Sequence, residues 1–463
     1  MSQDRTMLIL TSAQNFSWFS MTEIIPEIEK LWEEIAEKNN YKVLKINVDK
    51  ASVKEIIIKG IKSNLILVTC FNLKISWALK ILRTKMEIHA PLKFYVHGMS
   101  TVGLWPLVFW EWDTIWNKND SFIVSCQRDV KILKDKFKNI NVEYLPFSAP
   151  ENISIINRKD QFKRRSFYYI GRISEQKNLH TLLYAFSKHL IQEKSSLLTI
   201  FGREDELGSP NMGIPSINYK SYLENLSQEL GIEKSISFKG FVPREEIKNL
   251  IPEGKKVFIS SSLHSDENFG MAVLQALRFG HKAIISNWGG YADFKEHYRY
   301  QVSLVDVEHG DFGPYINTKQ LITEMNLIDL KEIDPDRTTF FERGHIANRY
   351  KLKLFEENKE TCDFSFAREI VNIRKEFSSD IMSSKIFNDY RDELYHYFSK
   401  KYSSSSKKEF SAKEEDLFPW VKVEEPRVLI NDPHKGILEL EFEVGSKKEK
   451  LQRLVELGCA LSD

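Results

Sequence analysis

Apolar residues recur in two rhythms over the first two thirds of the chain. Short continuous runs, MLILT (7–11), YKVLKINV (41–48), NLILVTC (64–70), KFYVHG (93–98) and SFIVSC (121–126), have the length and branching of buried strands. Between them, residues 21–38 and 53–62 repeat apolar positions at steps of three and four, which predicts helices. Strands alternating with helices predict a parallel α/β sheet with helices on both faces. YLPFSAPENISI (144–155), with two prolines, interrupts the alternation.

A second alternation begins near residue 166. SFYYIGRI, SLLTIFG, SISFKGFV, KVFISSS and HKAIISN read as strands. LHTLLYAFSKHL, YLENLSQELG, REEIKNLI and GMAVLQALRFG read as helices, with Gly231 placed to cap the second of them. The prediction is two α/β domains of similar size facing a cleft, with ligands outside the carboxyl ends of the strands. The expected units are 1–160, 161–345, a helical segment at 346–402 and a tail at 403–463. In the tail, SSSSKK (403–408) reads as a linker. GILELEFEV (436–444) reads as a half-buried strand and KEKLQRLVELG as a short helix.

Composition narrows the classes. Lys plus Arg is 66 and Asp plus Glu is 65 in 463 residues, so nucleic acid is not an expected partner. Cys70, Cys126, Cys362 and Cys459 are scattered, which points to reduced thiols and a cytoplasmic location, with Cys126 a core residue. The N-terminal apolar run is too short for a signal peptide, and no apolar run is long enough to span a bilayer. HExxH, P-loop and Cys/His ligand spacings are missing, so no metal or other cofactor is expected. Asp334-Pro335-Asp336 has the spacing of a metal-binding DxD but reads as a solvated loop. Trp105, Trp110, Trp112 and Trp116 read either as core or as a sugar-stacking wall or peripheral membrane contact. Lys74, Lys80, Arg83, Lys85 and Lys93 read as a solvated basic face.

Two stretches lie where a strand passes into a helix. In His264-Ser265-Asp266-Glu267-Asn268-Phe269-Gly270-Met271, the N–H groups of Phe269, Gly270 and Met271 can face a phosphate at a helix start. Glu267 stands at the cleft mouth, and Gln275 lies further along the helix. In Gly171-Arg172-Ile173-Ser174-Glu175-Gln176-Lys177-Asn178, Arg172 and Lys177 can converge on a diphosphate. As like charges they are expected to leave stability unchanged, or raise it, when either is removed without nucleotide present.

YIGRISEQKN, IFGRE, ISFKGFV, ENFGMAVLQAL and IISNWGGYAD follow one another in an order and spacing that resembles the donor domain of retaining glycosyltransferases of the family 4 type. The resemblance is clear over about 165–300; before it, KFYVHG and IVSCQRDVKILKDKF resemble the family's acceptor-side segments. The resemblance implies the GT-B fold, two Rossmann-like domains facing a cleft, with a C-terminal helical segment returning to the first. It implies a retaining, metal-independent hexosyltransferase that moves a sugar from a nucleotide-sugar donor to a hydroxyl acceptor on a glycan, lipid-linked sugar or protein. Gly171, Arg172 and Lys177 match the diphosphate segment, and Glu267 matches the first acid of the Glu-x7-Glu motif. Asn268, Phe269, Gly270 and Met271 match the sugar- and phosphate-facing N–H groups. Phe241 and Val242 match the segment beside the base. His97 matches the acceptor-side histidine that reaches the donor sugar.

The sequence departs from the pattern at Gln275, where a ribose-binding glutamate belongs, at Asp293, where glutamate is usual, and in the first βα loop, SAQNFSWFS, which lacks a glycine pair. These departures keep two alternatives open: an accessory subunit of a glycosyltransferase complex, and a nucleotide-sugar epimerase on the same fold.

Overall fold

The computed structural model describes residues 5–12, 19–71, 73–98, 104–149, 164–204, 218–264, 267–310, 313–327, 338–354, 360–377, 421–424, 427–432 and 436–441. The first sheet holds β1 (Arg5–Thr11), β2 (Tyr41–Asn47), β3 (Leu65–Val68), β4 (Leu92–Tyr95), β5 (Ser121–Val124) and β6 (Val142–Tyr144), ordered β2-β1-β3-β4-β5-β6. The second holds β7 (Arg165–Ile170), β8 (Leu197–Phe201), β9 (Ile236–Gly240), β10 (Lys255–Ser260), β11 (Lys282–Ser286) and β12 (Val302–Val305), ordered β12-β11-β10-β7-β8-β9. Every pairing in both sheets is parallel. The chain is thus the two-domain α/β protein that the double alternation predicts.

Helices cover both faces because successive strand residues point opposite ways. Leu8, Leu10, Ile66 and Val68 pack on one side of the first sheet, in one cluster with Ile56 and Leu79 of the covering helices. Met7, Ile9, Leu65 and Leu67 pack on the other side, with Ile28, Trp32 and Ile35 of the helix Phe19–Lys38. Continuous apolar strands follow from burial on both faces.

The carboxyl edges of the two sheets face each other. Ser125 Oγ, just past β5, donates to the Asn268 carbonyl at 3.1 Å. Arg128 reaches the Asn287 carbonyl at 3.0 Å and its Oδ1 at 2.6 Å. The backbone N–H of Gln127 donates to Asp293 at 2.9 Å, so the aspartate of NWGGYAD has a place in the domain contact.

Residues 338–377 run back onto the first domain. Ala149 N–H donates to the Phe341 carbonyl at 2.7 Å, and Arg343 pairs with both Glu27 and Glu34. Tyr350 donates to Glu143 at 2.5 Å and meets Trp32 edge-on at 5.5 Å. Phe364, Ala367, Ile370 and Val371, from the helix Ser365–Phe377 and its approach, are buried in one core with Trp116, Phe122 and Phe137.

One open alternative is decided, and two sequence expectations change. Trp105, Trp112 and Trp116 are buried and Trp110 is half-buried, so the tryptophan run is core; Trp116 stacks on Phe122 at 4.1 Å. Arg83 and Lys93 do not belong to a solvated face: Arg83 pairs with buried Asp120 at 2.8 Å, and buried Lys93 pairs with Glu143. A buried cation needs such a partner, and both partners lie on other elements, invisible to local pattern. The tail forms a three-stranded antiparallel sheet, β13 (Val421–Glu424), β14 (Arg427–Asp432) and β15 (Gly436–Glu441), where one strand was expected. Asp334 to Asp336, the 403–408 linker and the helix expected at 448–458 lie outside the described residues. No helix among the described residues is long and apolar enough to cross a membrane.

Candidate functional site

In an open parallel sheet a crevice forms where neighbouring strands send their chains to opposite faces. In the second sheet that point lies between β7 and β10. Gly171 to Lys177 leaves β7, and Ser261 to Gly270 leaves β10, so both candidate stretches emerge there.

The loop after β7 needs its glycines. Gly171 N–H donates to the Phe201 carbonyl at 3.0 Å, and Ile173 N–H to the Arg203 carbonyl at 2.7 Å. Gly202, at φ +150°, passes so close that a Cβ there would stand 1.7 Å from the Gly171 carbonyl oxygen. The glycine of IFG therefore has a steric reason.

Lys177 and Glu267 meet, Nζ to Oε2 at 2.6 Å, with both residues about nine-tenths buried. Ser262 Oγ donates to the same oxygen at 2.7 Å. The Glu267 carbonyl accepts from Gly290 N–H at 2.7 Å, which ties the acid's backbone to the glycine pair of NWGG. A Cβ on Gly290 would lie 2.3 Å from the Asn268 carbonyl oxygen, so close approach requires glycine here too. Gly270, at φ +104°, precedes the helix Met271–Arg278, and Tyr291 fills the space beside it. A backbone turned left-handed suits glycine, and the helix beyond begins with N–H groups that its own turns leave unpaired.

Arg172 lies beside His264, its guanidinium 2.9 Å from Nε2. An arginine can only donate, so Nε2 accepts and the proton sits on Nδ1. Burial pushes the His264 pKa well below the usual imidazole range, and Lys177 and Arg172 add to that, which keeps this neutral tautomer. The His264 carbonyl accepts from Trp288 Nε1 at 2.8 Å. His264 Nδ1 is buried without a hydrogen-bond partner among the described residues, as is Asn268 Nδ2. The sequence offered no signal for His264, because its partner lies 92 positions away.

From the first domain, His97 follows β4 and donates from Nε2 to the Thr69 carbonyl at 2.6 Å. It is stacked between Tyr95 and Phe147, and Phe147 meets Phe269 of the second domain at 5.3 Å. His97 and the Asn268–Met271 segment thus approach across the domain contact. Burial lowers the His97 pKa to about 4, so its Nδ1 is a lone-pair acceptor. Gln275 is buried within the helix Met271–Arg278. Phe241 is 40% exposed and carries Arg203 over its ring at 4.6 Å; Val242 is half-buried beside it. Residues 13–18 of the first βα loop lie outside the described residues. No cluster of three or more His, Cys, Asp or Glu suited to a metal ion occurs among the described residues.

Residues 152–316 match the family described as glycosyl transferases group 1. That stretch contains every donor-side residue named above. Over 172 residues the chain is 27% identical to an uncharacterized glycosyltransferase, MJ1607, of Methanocaldococcus jannaschii. The match covers 35% of this chain and 40% of that relative's length. Among solved structures, a glycosyltransferase from Rickettsia africae is 14% identical with a TM-score of 0.49, covering 82% of this chain and 99% of that one. Anabaena HepE in complex with UDP and glucose is 14% identical with a TM-score of 0.47, covering 81% of this chain and 100% of that one.

Proposed function

We propose that the chain is a retaining glycosyltransferase that moves a hexose from a nucleotide-sugar donor to a hydroxyl acceptor, without a metal ion. The observation that supports this most is the meeting of Arg172, Lys177, His264 and Glu267 on the two loops of the second sheet's crevice. In this reading Arg172 and Lys177 take the diphosphate, with His264 orienting the guanidinium. Two cations and the helix start at Met271 offset the charge that develops on the leaving diphosphate, the task a metal ion performs elsewhere. Glu267 and the N–H groups of Asn268, Phe269, Gly270 and Met271 border the transferred sugar. His97 accepts a sugar hydroxyl through Nδ1 from the first domain. Gln275 binds the ribose with one accepting and one donating group, and Phe241 and Val242 flank the base. Attack of the acceptor from the face that the diphosphate leaves would keep the donor configuration, with the leaving phosphate taking the hydroxyl proton.

A thermal-shift screen against UDP-, GDP-, ADP- and dTDP-sugars tests the reading. One of them should raise the melting temperature, since ligand at 100 times its Kd adds about 2.7 kcal/mol of stability. Arg172→Ala should weaken binding of the matching nucleoside diphosphate by about 1.5–3 kcal/mol, the range for hydrogen bonds to charged groups. No shift with any nucleotide sugar, and no diphosphate binding by calorimetry, would overturn the proposal. Product release after exhaustive EDTA treatment checks the metal-free route.

A further inference from the structure

Charge is not spread evenly over this chain. Overall it carries 66 basic and 65 acidic residues, yet residues 50–86 hold eight Lys or Arg and one acid, Glu55. In the fold this segment supplies β3 and two neighbouring helices, Val53–Ile61 and Leu73–Thr84. Ile56, Ile75, Leu79 and Leu82 bury the inner faces of both helices in one cluster. The helices approach closely enough that a Cβ on Gly60 would stand 2.6 Å from Leu82 Cδ1.

Large apolar side chains stand exposed on both helices of this layer and just beyond them. Trp77 is 68% exposed, and Ile58, Ile61 and Met86 are each more than two-fifths exposed. Lys54, Lys62 and Lys85 are exposed on or next to the same two helices. Lys59 pairs with Glu55 and Lys80 with Glu111 at the surface, and Glu87 is the remaining exposed acid nearby. Arg83 is spent inside the core on Asp120. Exposed tryptophan and isoleucine on helices that also expose lysine suit an occupant that is anionic outside and apolar beneath.

We propose that this two-helix layer docks the protein on an anionic lipid bilayer, with Trp77, Ile58 and Ile61 entering the headgroup region and Lys54, Lys62 and Lys85 facing the lipid charges. Tryptophan favours this depth because its ring is apolar and its N–H polar, and lysines near a negative leaflet each add attraction. The surface differs from the one the sequence suggested, since the Trp105–Trp116 run is core. The proposal does not depend on the transferase reading.

Vesicle co-sedimentation of the full chain tests it. The protein should pellet with vesicles of three parts phosphatidylcholine to one part phosphatidylglycerol, stay in solution with phosphatidylcholine alone, and be released by high salt. Lys54→Ala/Lys62→Ala/Lys85→Ala should lower vesicle affinity by roughly a hundredfold, at about fivefold per lysine. Trp77→Ser should lower it several-fold and remove a blue shift in emission that the wild type shows on binding. Both variants should keep the wild-type melting temperature, because these side chains are exposed. Absence of binding to the mixed vesicles, or variants that bind like the wild type, would overturn the proposal. So would a concentration-dependent dimer that Trp77→Ser dissolves, which would assign the face to a second copy of the chain.

Discussion

Lys177 shows how a neighbour 90 positions away changes what a residue does. Read along the chain, Lys177 and Arg172 are two like charges, and removing either should relieve repulsion. In the fold Lys177 is committed to Glu267, and Arg172 to the neutral imidazole of His264. Lys177→Ala leaves a carboxylate about nine-tenths buried with uncharged hydroxyl groups, those of Ser262 and Tyr291, beside it. Breaking a buried pair costs about 3–5 kcal/mol, and the slight exposure of this one places it towards the lower end. Chemical denaturation without nucleotide should therefore show Lys177→Ala clearly destabilised and Arg172→Ala nearly unchanged. Lys177→Ala/Glu267→Gln should recover much of the loss, because no unpaired charge then remains. Equal stability of the two single variants would contradict this account.

At the scale of elements, the site depends on loops held against each other by missing side chains. Gly290 lets the turn after β11 lie against Asn268 and Phe269, the segment that opens the helix Met271–Arg278. Gly290→Ala puts a methyl group 2.3 Å from the Asn268 carbonyl oxygen and 2.6 Å from Phe269 Cα. Backbone cannot swing aside as a side-chain end can, so overpacking should cost about 1–3 kcal/mol. The displaced segment carries the N–H groups assigned to the donor, so the variant should also raise the KM for nucleotide sugar. Gly344 is the control: it lies inside the helix Arg343–Arg349, and a Cβ there meets nothing within 4 Å. Gly344→Ala should be neutral or stabilising by up to about 1 kcal/mol, leaving KM unchanged.

Buried titratable groups set how the stability of the whole molecule responds to acid, and their effects oppose one another. Burial lowers the pKa of His97 to about 4 and of His180 and His281 to about 3, with His264 also well below its ordinary value. Below pH 6.5 the unfolded chain takes up protons at these four positions and the folded chain does not, so they lower stability as pH falls. Burial raises Asp120 and Asp293 to about 6, so the folded chain takes up protons first at those two and gains stability between about pH 6 and 4. Four groups against two leave a net of about two protons, and His297, lowered by partial burial, acts in the same direction as the four. Unfolding free energy should fall by roughly 3 kcal/mol per pH unit between pH 6 and 5. Calorimetry across that range measures the slope, and His180→Asn should flatten it by about one proton. A flat profile would mean that these histidines are accessible to solvent in the folded chain.

Local sequence determined the strands, the helices and the places where chemistry can stand. Continuous apolar runs and three- and four-residue steps depend on neighbours a few positions apart, and five strands of each sheet follow from them, while the short edge strands β6 and β12 do not. Glycines mark loops because close approach constrains the backbone itself; GRISEQKN was legible as a strand-to-helix turn, while the glycines of IFG and NWGG entered only through the resemblance. The pairing of charges was not legible. Arg83 with Asp120, Lys93 with Glu143, Arg172 with His264 and Lys177 with Glu267 each join residues from different elements. The same limit left the tryptophans open between core and surface, since an aromatic run looks alike whether it faces solvent or the returning segment that packs on Trp116. Burial decides whether a cation is solvated or must find an acid, and whether an imidazole stays neutral. Burial is a property of how distant segments stack, so only the tertiary structure settled those roles.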